Sequence, residues 1–531
     1  MTKSVVHSAV CDGTATFVVA VESSLTRGYA NLQLIGNASE VCRDGKERAR
    51  SALEHCGIVL PPRRIVISIS PADVKKDGNH LDLPIAISLA LLATGMSPAL
   101  DPCDWVFAAE LSLDGELRPV RGLVSFAIEA LAQNKKGLVI AAGNRREMAT
   151  LARFDDTRFQ HLACQSFHSL AEVLAWLAKG EAPAEAPLDS VIPGPCDHTE
   201  PASFDDMALD TSQETIALVV ATGLHSLMLR GTPGTGKSMF AQRLASILPD
   251  MGQGDHLDAL KITSSYSSLI PRPLLRGRPP FRNPHHQTSA AALLGSTDGP
   301  GEISLAHGGI LFLDEFPEFR RDLIEALREP LENGEVRLAR ARGRIHWPAR
   351  FILVAAANNC PCGWFASSQK RCICTTQKLL AYRLKFSGPV LDRIDLHCNT
   401  QGMAGAPHES LFKRSAESQR SQRLRELVAA ARAFGKERNQ SLGVVSNRDL
   451  PAQRLTEASG LSESGFSALI RPYVAESPSP RAIVRALRVA RTLADLGASA
   501  AIRERDLALA WGWQAEPAAR ARGEGGSGRS Y

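Results

Sequence analysis

HSLMLRGTPGTGKSMF (residues 225–240) is the stretch whose reading decides the fold. It carries GxxxxGK[ST] as Gly231, Thr232, Pro233, Gly234, Thr235, Gly236, Lys237 and Ser238. An apolar run, Leu227 to Leu229, precedes the motif, and the helical pattern MFAQRLASIL (239–248) follows it. That strand–loop–helix context is what the motif requires. Small residues let the loop fold around phosphates, so that backbone N–H groups and a helix N-terminus face the anion. Lys237 is expected to reach the β- and γ-phosphates of ATP and Ser238 to ligate Mg²⁺. A chance glycine-rich turn is the competing reading, and the flanking pattern disfavours it.

Working outward, GGILFLDEF (308–316) reads as a buried parallel strand ending in two carboxylates. Ligands in parallel sheets sit at the C-terminal ends of the strands. Asp314 is expected to hold Mg²⁺ through water, and Glu315 to act as general base on the attacking water. A third apolar strand, RFILVAAAN (350–358), ends at Asn358, an amide placed to position that water or read the γ-phosphate. Asparagine also ends strands simply as a turn former.

The three strands fall in a central section, roughly 204–400, that alternates short apolar strands with helices, the α/β pattern of a parallel sheet covered on both faces. Before it, residues 1–178 mix β-like stretches (RIVISIS, 64–70; GLVIAA, 137–142) with amphipathic helices. A Pro-, Ala- and acid-rich linker, 179–203, separates the two. Residues 401–515 read as helical, with Leu424, Leu427, Val428 and Ala431 expected on one buried face. The Gly/Ser/Arg-rich tail, 516–531, is expected to be disordered.

The bulk numbers bound the reading without deciding it. A chain of 531 residues suggests about three domains. A net charge of +5 permits an anionic partner and does not demand one. The first residues lack an apolar signal-peptide core, and no run of about 18 apolar residues suits a membrane span. The 11 cysteines form no disulfide-framework pattern, so a cytoplasmic setting is expected. Four of them, Cys360, Cys362, Cys372 and Cys374, fall in one loop and suit a structural Zn²⁺. Their double C-x-C spacing is tighter than the usual C-x₂₋₄-C, so four reduced thiols are the alternative.

The order of motifs is specific. The phosphate loop, GEISLAHGGILFLDEF (301–316), FILVAAANN (351–359), SGPVLDRIDLH (387–397) and SPRAIVRALRVARTLADL (479–496) follow each other as in the ComM/YifB family of magnesium-chelatase-like AAA+ ATPases, which this chain resembles over essentially its whole length. RPPFRNPHHQTSAAALLG (278–295) and REPLENGEVRLARARGRIHWPARF (328–351) also look like that family. The resemblance implies an AAA+ P-loop core with a helical lid and a hexameric ring that moves single-stranded or branched DNA at the expense of ATP. It implies that Asn358 is the sensor-1 residue, Arg393 an arginine finger offered to a neighbour's ATP, and Arg481 the sensor-2 arginine. For either arginine, a surface ion pair is the bland alternative. Arg337, Arg340, Arg342 and Arg344 read as a basic β-hairpin that would contact DNA phosphates. His285 and His286, with Arg282, sit in the insert before the catalytic strand, where they either contact DNA or brace the loop; loop packing is the expectation.

DGNHLDLPIAISLALL (77–92) and AELSLDGELRPVRGLVSFAIEAL (109–131) resemble the Lon-protease-like, ribosomal-S5-domain-2-like α+β fold at the front of ComM proteins. Where those proteases carry a Ser–Lys dyad, this chain has Asn79-His80-Leu81-Asp82 and Val124, so a proteolytically inactive domain is expected. Thr232 and Asn359 replace prolines that the family usually shows, and NASEVCRDGKERAR (37–50) departs further. A magnesium-chelatase-like enzyme and an ATP-driven protein remodeller are the competing functions.

Overall fold

Alternation builds the first sheet. In RIVISIS every second residue, Ile65, Ile67 and Ile69, is buried, as a strand with one face on a core requires. The computed structural model of the chain describes residues 3–181, 202–400 and 419–514, apart from 13–14, 153, 155–156, 208, 297–298, 341–342, 366, 368–369, 387 and 477–478. Most of the expected linker and all of the expected tail lie outside the described residues.

The N-terminal sheet has seven strands: β1 (Lys3–Asp12), β2 (Ala15–Thr26), β3 (Asn31–Ile35), β4 (Arg64–Ser70), β5 (Trp105–Ala108), β6 (Gly137–Ala141) and β7 (Ala163–Phe167). Their order is β3-β4-β2-β1-β5-β6-β7. The β1–β2 and β2–β4 pairs are antiparallel and the others parallel, a mixed sheet. Helices α1 (Glu40–His55) and α2 (Asp82–Thr94) join its core. Eleven successive residues of α2, Asp82 to Leu92, are buried, the signature of a helix packed on every side. Helix α3 (Leu123–Ala132) is buried among β1, β5 and β6 side chains on another face.

The second sheet is wholly parallel. It contains β8 (Leu227–Arg230), β9 (Phe281–Arg282), β10 (Ile310–Leu313), β11 (Ile352–Ala357) and β12 (Leu396–Asn399) in the order β9-β10-β11-β8-β12. β10 and β11 are buried at every position, as expected where helices cover both faces. Helices α4 (Thr211–Gly223) and α5 (Lys237–Ile247) flank it, α4 started by an Asp210/Gln213 capping box. The described residues from 419 onward are helical or irregular: α6 (Arg420–Ser441), α7 (Glu463–Ala475), α8 (Pro480–Leu496) and α9 (Glu504–Gly512) are the longer helices. Leu424, Val428, Leu487 and Val489 share one core with Leu227, Phe240 and Phe312, so these helices rest on the parallel sheet.

Leu424, Val428 and Ala431 are buried as expected, but Leu427 is 44% exposed. The buried stripe of α6 is narrower than the apolar pattern suggested. At the start of α6, Arg420 and Arg423 pair with Glu214 of α4 (3.6 and 2.9 Å).

The N-terminal sheet and the parallel sheet meet along a packed seam. Ala259, Leu260, Leu274 and Leu275, from the segment after α5, join the same core as Phe126 and Met148. Within it, Glu147 accepts hydrogen bonds from Asn144 and Ser264 (both 3.1 Å), and Gly122 N–H donates to the Ser264 carbonyl. Burial pushes the Glu147 carboxyl up to about 8, the two hydrogen bonds opposing it.

Candidate functional site

The C-terminal ends of β8, β10 and β11 bring the predicted nucleotide residues together. The loop after β8 turns into α5 through Gly234 and Gly236, both at φ +78°, a conformation that side-chain-bearing residues avoid. Lys237 opens α5 and is buried. Its ammonium donates to the carbonyls of Gly231 (3.0 Å) and Thr232 (2.8 Å) and to Asn358 Oδ1 (3.2 Å). Burial pulls its pKa below the usual lysine value, with Asp314 opposing. Ser238 Oγ donates to Asp314 Oδ2 at 2.6 Å. A hydroxyl and a carboxylate so close, at the end of a phosphate loop, form the hard-oxygen donor set that Mg²⁺ takes when phosphates and water complete its shell.

Glu315 follows Asp314 in a left-handed conformation, φ +50°. Such backbone in a non-glycine residue costs about 1–3 kcal/mol and persists where the surroundings impose it. Its N–H donates to Asp314 Oδ1 (2.9 Å), while its carboxylate lies 3.3 Å from His286 Nδ1. His286 belongs to the insert preceding β10. The expectation that it only braces its own loop is therefore too narrow, since it touches the residue expected to be the base. Arg282 of the same insert forms a two-pronged pair with Glu302, both contacts 2.6 Å. No spacing rule links residue 286 to 315, so nothing in the sequence signals the contact.

Arg393 and Arg481 lie elsewhere. Both line a 990 Å³ cavity with Glu332, Arg350, Arg485 and Arg488, and no residue of the phosphate loop lines it. Arg393 is ion-paired with Glu332 and its side chain is 10% exposed; Arg481 is exposed at the start of α8. The two arginines are thus brought together with each other and not with Lys237.

The basic stretch forms an antiparallel hairpin, β13 (Glu335–Arg340) and β14 (Gly343–Pro348), with Val336 opposite Trp347. (These two strands, though earlier in the chain than β11, stand apart from the main sheet.) Arg337 is exposed and donates to Glu335 at 2.7 Å, with Glu329 at 3.6 Å. Acidic neighbours therefore offset part of its charge. Arg342 and the side chains of Arg340 and Arg344 lie outside the described residues.

In the N-terminal sheet region, Asn79 Nδ2 donates to Glu110 (2.8 Å), and His80 is buried against the Phe126 ring, its pKa lowered by burial to about 4. Val124 is fully buried. Among the described residues, no helix is long and apolar enough to cross a membrane.

Comparison with known proteins agrees with this arrangement. The family profile of magnesium chelatase, subunit ChlI, matches residues 203–407; that of subunit ChlI of Mg-chelatase matches 21–144; and that of its C-terminal region matches 418–514. The protein YifB of Escherichia coli K12 is 34% identical over 97% of this chain and 97% of its own length. The competence protein ComM of Haemophilus influenzae is 34% identical over 97% of this chain and 98% of its own. The chain belongs to the YifB/ComM family of magnesium-chelatase-like AAA+ proteins. The 38 kDa magnesium-chelatase subunit of Rhodobacter capsulatus is a more distant relative, 24% identical over 28% of this chain. For this YifB/ComM-family chain, the matched segments cover the parallel sheet with its phosphate loop and extend to both flanking regions.

Proposed function

We propose that this protein is an ATP-hydrolysing, Mg²⁺-dependent ring motor, a hexamer in the cytoplasm, that moves single-stranded and branched DNA in recombination of incoming strands. The observation that carries the ATPase part is the convergence of Lys237, Ser238, Asp314 and Asn358 within 3.2 Å contacts at the ends of three adjacent parallel strands. Lys237 and the loop N–H groups bind the β- and γ-phosphates, Ser238 and Asp314 hold Mg²⁺, Glu315 takes the proton of the attacking water, and Asn358 orients it. Mg²⁺ supplies neutralisation of the developing phosphate charge.

The ring reading is supported by where the arginines lie. Arg393 and Arg481 share a cavity apart from their own phosphate loop, which supports Arg393 acting on a neighbour's nucleotide, with Arg481 as the sensor-2 arginine. An arginine brought to a transferring phosphoryl group is worth about 10³–10⁵ in rate, and Arg393 must exchange Glu332 for phosphate to supply it. The helices from 419 onward act as the lid that carries Arg481. The N-terminal domain takes a Lon-protease-like form without protease chemistry, its dyad positions filled by buried or hydrogen-bonded His80, Asn79 and Val124. The hairpin arginines, Arg337, Arg340, Arg342 and Arg344, bind the DNA backbone in the pore; this is supported by the hairpin's form and by the ComM relative's name as a competence protein.

The test is ATP-dependent movement of a synthetic branched DNA junction by the full chain, with Glu315→Gln as control. Movement by the parent and none by the variant supports the motor. ATP turnover without DNA binding at low salt would overturn the DNA part, in favour of a chelatase-like or protein-remodelling machine.

A further inference from the structure

The loop that follows β11 leads directly from Asn358 into four cysteines. Among the described residues, no helix or strand stands between Ala357 and Thr376. Ile373 is 84% exposed, so the loop gains little from a core of its own. Yet Cys360, Cys362, Cys372 and Cys374 place their sulfurs within 4.8 Å of one another. Three of the separations are 3.4, 3.6 and 3.8 Å. A tetrahedron with Zn–S arms of about 2.3 Å has S···S edges of about 3.8 Å. The sulfurs thus stand at the spacing of a thiolate-bound ion and not at that of a disulfide, about 2.05 Å. Backbone N–H groups supply the outer shell expected of such a site: Phe365 donates to Cys360 Sγ at 3.2 Å, and Trp364 and Ile373 donate to Cys362. Four thiolates select a soft or borderline cation and reject Mg²⁺, so this site is chemically distinct from the Ser238–Asp314 pair.

The loop also touches the nucleotide site at two places. Cys360 lies two residues after Asn358, whose backbone carbonyl is held by Tyr382 Oη at 3.1 Å. Gly363, at φ +85° between Cys362 and Cys372, is packed on the phosphate loop so closely that a Cβ there would stand 2.5 Å from Pro233 Cγ.

We propose that Cys360, Cys362, Cys372 and Cys374 hold a zinc ion whose knuckle braces Pro233 and Asn358 from behind, so that ATP turnover depends on the bound metal. The coupling rests on the ATPase reading; the metal site does not. Zinc folds a loop that its own side chains leave underdetermined. The folded loop then fixes the phosphate loop on one side and the sensor amide on the other, and errors of about 1 Å in such positions cost about 10²-fold in rate.

The experiment measures metal and turnover separately on the full-length protein. Purified without chelator, it is expected to carry one zinc per chain, releasable by a thiol-modifying mercurial. Titration of the apo protein with Co²⁺ is expected to give a thiolate charge-transfer band. Cys362→Ser/Cys372→Ser is expected to lose both signals and most ATP turnover. Gly363→Ala, which sets a methyl against Pro233 and strains a left-handed backbone, is expected to keep the metal and still lose turnover about tenfold. No zinc and no Co²⁺ band in the parent protein would overturn the site. A metal-free serine variant that is folded by circular dichroism and turns over ATP at the parent rate would overturn the brace, as would a fully active Gly363→Ala.

Discussion

The two sheets of this protein bury charged side chains in opposite ways. In the N-terminal region Asp82 is fully enclosed and meets Arg48 through two contacts of 2.7 and 3.0 Å, with the Leu111 N–H as a third partner. That cluster is closed, with each carboxylate oxygen engaged. In the ATPase core Lys237 is also buried, but its partners are two backbone carbonyls and the Asn358 amide, with no carboxylate in hydrogen-bond contact. An ammonium held only by neutral oxygens keeps its charge available to an incoming anion. The contrast arises from topology: the ends of adjacent parallel strands leave a crevice that a mixed sheet covered by α2 does not. A buried charge is therefore structural or functional according to whether its countercharge is already present.

The sharpest way to break this comparison is to remove one member from each region. Lys237→Ala is expected to abolish ATP binding and turnover while leaving the thermal midpoint within a few degrees. Asp82→Ala, which removes the partner of the part-exposed Arg48 and leaves the Leu111 N–H without its acceptor, is expected to cost about 1–3 kcal/mol of stability and to leave turnover per folded molecule unchanged. Nucleotide binding by fluorescence and unfolding by calorimetry read the two effects. A Lys237→Ala chain that still binds ATP, or an Asp82→Ala chain that is folded and inactive, would erase the distinction.

Arg393 tests whether the second half of the site comes from a neighbour. Arg393→Ala is expected to lower steady-state turnover by about 10³-fold or more with ATP affinity little changed. Mixing it with Lys237→Ala is expected to recover activity, since each variant retains what the other lacks. No recovery at any mixing ratio would place the finger and the phosphate loop in one subunit.

How much of this was legible in the sequence depended on whether the signal was local. Gly231–Ser238, Asp314 and Asn358 were readable because each sits at the end of an apolar run, and the end of a parallel strand is where the crevice must be. The hairpin around Gly343 was readable because the alternation of Arg337, Ala339 and Glu335 with Val336 and Leu338 is local too. His286 against Glu315, Gly363 against Pro233 and Glu147 against Ser264 were not, because each contact is set by packing between segments that share no periodicity. Leu427 shows the same limit within a single helix: its spacing fits the buried stripe, but among the described residues no neighbouring element fully covers it.

His286 offers a finer test of how the open site is restrained. It tethers the Glu315 carboxylate from the insert, a segment that a ring would present to its polymer. His286→Ala is expected to shrink the ratio of DNA-stimulated to basal turnover about fivefold, a small part of a general base's worth, without changing ATP affinity. An unchanged ratio would reduce the 3.3 Å contact to loop packing.

A test of stability rather than turnover lies at the seam, where the two regions meet. Glu147 is buried there with only neutral partners, Asn144 and Ser264, so it resembles Lys237 in lacking a countercharge and Asp82 in being closed to solvent. Its folded pKa of about 8 stands above the ordinary value of 4.5. A carboxyl whose folded value is raised favours the folded state while both forms are protonated, below about 4.5, and that advantage is lost as pH rises through about 8. The wild-type protein is therefore expected to lose up to a few kcal/mol of stability between about pH 5 and 8 from this group alone. Glu147→Gln keeps the shape, accepts from Asn144 or Ser264 through its amide oxygen, and removes the titration. Its thermal midpoint is expected to be nearly level over that range and to exceed the parent's at pH 8, by calorimetry of the full chain. Parallel pH profiles for the two proteins would mean that Glu147 reaches water in solution, and that the seam is looser than the packing of Phe126, Met148 and Leu260 implies.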